Sequence, residues 1–270
     1  MKKIHLLFTM AAATFLLISC KKNTVTNTPT VTWSKTVTMS AKYEVPAIAN
    51  RTETAVATLE LLSDNTLRYN IAVTGLAAGD ALTAAHIHAG NAGSNGAVKI
   101  PFDGTFSAAG VSGVTPVLRA GQIDTLQNME TYVNIHSTQA PAGLLRGQVD
   151  SKIVFAADLL MSGANEVPAV NTTAFGLAVI RLTENKKTYL KVSMTGLEAG
   201  DVMSAAHIHT AAANANGPVL LGFYAAEADF NTLKVISVSD AVYSSLLSDA
   251  IYINAHSVAH AAGVVRAQIR

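Results

Sequence analysis

One cysteine, Cys20, is all the sulfur-bridging capacity this 270-residue chain has, so no disulfide can form within it and the fold rests on core packing. Charge is also scarce: Asp, Glu, Lys and Arg make up 14% of the residues and balance to +1, with no basic run beyond Lys21-Lys22. Aromatic residues reach only 6%. A nucleic-acid surface needs a concentrated Lys/Arg stripe to displace counterions, so that class of partner is excluded. The chain has no Gly-x-Ser-x-Gly motif, no catalytic-cysteine pattern and no phosphate-binding glycine loop. Long amphipathic helical windows are missing too. What the chain has in quantity is apolar residues, 50% of the total, enough for two domains with a core each.

The first twenty residues read as a targeting segment. Lys2 and Lys3 form a positive n-region and Leu6 to Ile18 an apolar h-region, shorter than the roughly 20 residues a spanning helix needs. The segment closes on Leu17-Ile18-Ser19-Cys20, which resembles the lipobox of bacterial lipoproteins. The resemblance implies a signal peptide over 1–19, lipidation of Cys20, and a cell-envelope protein whose first partner is the membrane. The alternative is an ordinary secretory signal that contains a cysteine. Lys21 stands where an inner-membrane retention signal would place Asp, so the outer membrane is expected, facing the periplasm or the exterior. Residues 20–34, rich in Thr and Asn, read as a flexible tether.

The rest is a duplication. Ala84-Ala-His-Ile-His88 returns as Ala205-Ala-His-Ile-His209. Asn95-Gly96, Tyr132-Val-Asn-Ile-His136 and Gly143-x-x-Arg146 return as Asn216-Gly217, Tyr252-Ile-Asn-Ala-His256 and Gly263-x-x-Arg266. Glu44-Val45-Pro46-Ala47 matches Glu166-Val167-Pro168-Ala169, and Gly79-Asp80 matches Gly200-Asp201. Each copy is too long for a solenoid unit, so two tandem domains are expected, over 35–152 and 153–270.

Within each copy the pattern is strand-like. Residues 54–61 and 67–74 alternate apolar and polar around a Ser63-Asp64-Asn65 turn, and 175–182 and 188–195 do the same around Glu184-Asn185-Lys186. Short helices are expected only around 124–129 and 240–249. The fold class is therefore all-β, two antiparallel sandwiches or barrels.

Chemistry concentrates at the histidines. Six of eight occupy matched positions, and in a strand residues i and i+2 share a face. His86 and His88 then project together, and His136, from a second strand, can meet them; His207, His209 and His256 repeat the set. Three imidazoles with an open fourth position suit zinc, and imidazole also suits copper. Alternatively, the same histidines brace loops through Asn95, Asn134 or backbone carbonyls. Glu44 with Arg146, and Glu166 with Arg266, are expected to form ion pairs between the first and last strands; the alternative is a carboxylate supporting the histidines. Asn95-Gly96 and Asn216-Gly217 read as tight turns with glycine at positive φ, and Asp80 and Asp201 as turn-closing residues.

Taken together, Ala85-His-Ile-His88-Ala-Gly90, Asn216-Gly-Pro-Val219, the Glu-Val-Pro opening and the closing run Tyr132 to Gln148 resemble the CHRD domain, the repeat found in chordin and in many bacterial secreted proteins. The resemblance implies an immunoglobulin-like β-sandwich or barrel. It does not bring chordin's growth-factor binding to a lipid-anchored chain without cysteine-rich modules. The reading is a binding or structural envelope module whose triads are candidate metal sites. A metal-dependent enzyme of copper/zinc type and an adhesion or scaffold protein are the alternatives.

Overall fold

The computed structural model describes residues 28–270, so the expected signal peptide, Cys20 and the tether up to residue 27 lie outside the described residues. The first strand, β1 (Val31–Ser40), starts inside the stretch expected to be tether. Its threonines are strand residues: Val31 pairs with Leu62 and Trp33 with Leu61, and Val37 and Met39 enter the core.

Domain 1 continues with β2 (Thr54–Leu62), β3 (Leu67–Thr74), β4 (Leu82–Ala89), β5 (Val98–Pro101), β6 (Gly110–Val114), α1 (Ala120–Asn128), β7 (Thr131–Ser137) and β8 (Leu145–Gln148). Domain 2 repeats the series as β9 (Ile153–Ser162), β10 (Phe175–Thr183), β11 (Lys187–Thr195), β12 (Met203–Thr210), β13 (Val219–Tyr224), β14 (Lys234–Ser237), α2 (Asp240–Ser248), β15 (Ile251–Ser257) and β16 (Val265–Gln268). Each domain is one eight-stranded antiparallel sheet, in the order β5-β4-β7-β8-β1-β2-β3-β6 and its equivalent, curled around its own core. The all-β expectation holds, with a barrel-like sheet as its form. In β3 the pattern is complete: Leu67, Tyr69, Ile71 and Val73 are buried while Arg68, Asn70, Ala72 and Thr74 are exposed. That alternation makes the sheet amphipathic and fixes its register. Asn65 takes a left-handed turn at φ 65°, a conformation asparagine tolerates. Among the described residues, no helix is long and apolar enough to cross a membrane.

The domains dock through groups the sequence reading did not single out. Domain 2 presents the outer face of β9, β10 and β11 to loops of domain 1. Arg181, fully buried, donates to Asp158 Oδ1 (2.5 Å) and to the Glu44 carbonyl (2.5 Å), while Asp158 Oδ2 accepts from Ala47 N (2.7 Å). Lys187 and Tyr189 both donate to Glu130 Oε1, at 3.0 and 2.9 Å. Ala92 packs against Ile153 and Tyr189, with Tyr43 and Leu233 alongside.

Candidate metal centres

β4 and β7 are adjacent and antiparallel, with Ala84 opposite His136, His86 opposite Asn134 and His88 opposite Tyr132. This register brings His86, His88 and His136 onto one face, as their spacing predicts. One ring nitrogen from each lies within 4.8 Å of the others, and His207, His209 and His256 on β12 and β15 form the same group. His260 is not part of it.

Second contacts set which nitrogen carries the proton. His88 Nδ1 lies 2.9 Å from Gly96 O and His136 Nδ1 lies 3.0 Å from Pro141 O. A carbonyl only accepts, so each Nδ1 carries its hydrogen and each Nε2 is left as a lone pair. Domain 2 matches, with His209 Nδ1 on Gly217 O (2.9 Å) and His256 Nδ1 on Ala261 O (3.1 Å). The change from Pro141 to Ala261 is harmless here because the acceptor is backbone. His86 Nδ1 meets His136 Nε2 at 3.2 Å, and His207 Nδ1 meets His256 Nε2 at 3.1 Å. The Nε2 atoms of His88 and His209 are buried and have no hydrogen-bond partner. In domain 2, His256 Nε2 also lies 3.1 Å from Asn254 Oδ1, so a ring with one proton faces more acceptors than it can satisfy. Burial, and for all but His136 a neighbouring imidazole, lowers the pKa of His86, His88, His136, His207 and His256 from the ordinary 6.5, which favours the neutral, ligating form.

The rings are layered into the sheet. His88 stacks on Tyr132 with centroids 4.8 Å apart, and the Arg146 guanidinium lies 3.6 Å from the Tyr132 centroid. His209, Tyr252 and Arg266 repeat the stack at 4.8 and 3.4 Å.

The expected ion pairs do not form. β1 and β8 do meet, through Ser40 and Arg146, but the Arg146 guanidinium is taken by Asn91 O (2.5 Å), Ser94 O (2.9 Å), Asn95 Oδ1 (3.0 Å) and Gln148 Oε1 (3.1 Å). Arg266 makes the matching contacts with Ala212 O, Ala215 O and Asn216 Oδ1. A fork of five donors is better satisfied by this ring of acceptors than by one carboxylate. Glu44 turns instead to Asn134 Nδ2, at 2.6 Å. Burial pushes Glu44 up to about 7 against the pull of Arg146, the Asn134 bond and Arg181. Burial likewise pushes Glu166 up to about 7 against Arg266 and Asn254. Neither carboxyl contacts a histidine: Glu44 ends on Asn134, and Glu166 Oε1 is buried without a hydrogen-bond partner. Burial also pushes Arg146 down to about 10.

Gly96 and Gly217 are glycine for a different reason from the one expected: neither has positive φ. A Cβ at Gly96 would overlap the Ala89 carbonyl oxygen, and one at Gly217 that of Thr210. The turn passes so close to β4 or β12 that only glycine fits. Asp80 and Asp201 do close turns, their N–H groups donating to Ala77 O and Glu198 O. Asp80 does more than expected, accepting from Arg51, Ser137, Thr138 and Gln139 N. Arg51 carried no motif in the sequence and was missed.

No curated protein and no solved structure matches the chain. The CHRD domain model matches twice, over residues 35–149 and 158–269, which takes in both triads, both Glu-Val-Pro loops and both closing strands. The chain belongs to the CHRD domain family, with two tandem copies of the domain.

Proposed function

We propose that the protein is a lipid-anchored envelope module in which each CHRD domain binds one transition-metal ion through its three histidines. The observation that carries this reading is the pair of buried, unpartnered Nε2 atoms on His88 and His209, each beside two more neutral imidazoles. A buried ring nitrogen without a partner forfeits a hydrogen bond, a cost of about 1–3 kcal/mol that a metal ion would offset. The Nδ1–carbonyl bonds support the reading, since metal-ligating histidines commonly fix their second nitrogen in this way.

Size is compatible with an ion that draws the rings inward. Two Zn–N bonds subtend about 3.4 Å at a tetrahedral centre, so nitrogens up to 4.8 Å apart would close by at most about 1.4 Å. The donor set, three imidazoles and no thiolate, favours zinc or copper. The ligands leave one position open. Glu44 bonds Asn134, Glu166 Oε1 has no partner, and neither bonds a triad histidine, so the site has the donors of a binding centre without a general base hydrogen-bonded to it.

The test is elemental analysis of the purified mature protein beside His86→Ala/His88→Ala/His136→Ala and the matching domain 2 triple variant. Two equivalents of metal in the wild type and one in each variant are expected. Equal metal content in all three overturns the proposal and leaves the histidines as loop braces.

A further inference from the structure

The two triads have the same ligands and different surroundings. In domain 1 the loop that supplies Gly96 O to His88 is held from every side. Asn91 Oδ1 accepts from Gly93 N (3.1 Å) and Ser94 Oγ (3.0 Å), and Arg146 grips its carbonyls. Asn95 Nδ2 ties it to Val45 O (2.6 Å). Domain 2 then seats on the outside: Ala92 is fully buried against Tyr189, and Arg181 and Asp158 clamp the adjoining Glu44–Ala47 segment at both ends.

The equivalent loop of domain 2 lacks two of these restraints, the side-chain brace and the seat against a second domain. Asn91 and Ser94 are replaced by Ala212 and Ala215, so the side-chain-braced turn cannot form. Residues 212–216 are all exposed. Among the described residues, nothing takes the Ala169 N–H or donates to the Glu166 carbonyl, the counterparts of the two clamped groups. Arg266 and the Asn216–Val167 bond remain.

We infer that the two metal sites are unequal: docking of domain 2 pre-organises the His86–His88–His136 site and leaves the His207–His209–His256 site soft, with Arg181 and Asp158 as positioning residues acting across the junction. This rests on the metal-binding reading above. A ligand shell ordered before the ion arrives binds it more tightly, because less freedom is lost on binding. Direct hydrogen-bond partners of ligating histidines are worth about 10–100-fold in metal affinity, and Arg181 and Asp158 act from a step further out, toward the low end of that range.

Arg181 belongs to the sheet of domain 2, which makes the test discriminating. Two proteins are titrated with Co²⁺, its visible bands reporting the ligand field: one with the domain 2 triad changed to alanine, one with the domain 1 triad changed. Site 1 is expected to bind about 10-fold tighter than site 2. Arg181→Ala should weaken site 1 about 10-fold and leave site 2 unchanged, and Arg181→Lys should recover part of the loss. Equal affinities in the parent proteins, or a loss confined to site 2 or shared by both, overturns the inference. If neither site takes cobalt, the metal reading has failed and the junction is read by amide exchange. Residues 91–96 should then exchange more slowly than 212–217 and lose that protection in Arg181→Ala; exchange that is the same in both loops overturns the inference.

Discussion

Replacing Glu44 with glutamine should make domain 1 more stable at neutral and alkaline pH. The carboxyl is buried, accepts one bond from Asn134, and titrates at about 7 against 4.5 for a free glutamate. A glutamate raised in the folded chain holds its proton more tightly there than in the unfolded one. Its contribution is therefore fully present below pH 4.5 and is lost as the pH rises to about 7. At about 1.4 kcal/mol per pH unit, that loss comes to about 3 kcal/mol. Glutamine keeps the acceptor for Asn134 but cannot ionise. The stability difference between Glu44→Gln and wild type should accordingly be near zero at pH 4.5 and reach about 3 kcal/mol in favour of the variant at pH 8. Comparing the two proteins removes the histidine titrations, whose lowered pKa values act in the opposite sense by raising stability as pH climbs toward 6.5. The assay is urea unfolding followed by the fluorescence of Trp33, the only tryptophan, which packs against the domain 1 core. A stability difference that stays flat from pH 4.5 to 8 would refute the reasoning.

Gly96→Ala should lower domain 1 stability by about 2–3 kcal/mol, since the added methyl meets a backbone oxygen and the loop must leave β4; urea unfolding measures it. Tyr132→Phe removes the acceptor of Gly96 N (3.1 Å) and should cost about 1 kcal/mol, with a smaller loss for Tyr252→Phe, where Gly217 N is 3.4 Å away. Asp80 gives an acid-side prediction. Burial would raise its carboxyl, but donors from Arg51, Gln139, Ser137 and Thr138 outweigh it and hold the group well below the usual 3.8. Its stabilisation is present above pH 3.8 and lost as pH falls through the lowered value, so Asp80→Asn should flatten the acid limb of a stability–pH curve.

The strands were legible because alternation is a local signal, and the triads because a strand places i and i+2 together whatever else the fold does. The Glu44–Arg146 pair was misread because adjacency of first and last strands says nothing about competing acceptors, and Asn91, Ser94 and Asn95 come from a loop whose path the sequence does not reveal. Gly96 was assigned to the wrong cause for a similar reason: close approach to Ala89 O is a tertiary fact, while a turn glycine is a local habit. The junction was missed because Arg181 on a strand looks like a solvated charge. The difference between copies was the available signal, with Arg181 standing where the first copy has Glu60, and Asp158 where it has Thr36.

If three imidazoles per domain hold one ion, the ion's own coordination shell records it. X-ray absorption at the edge of the bound metal tests it most directly. Three imidazole nitrogens per ion are expected, at about 2.0–2.1 Å for zinc, with one further light atom. A shell with fewer than three imidazoles, or one made of oxygen alone, would contradict it.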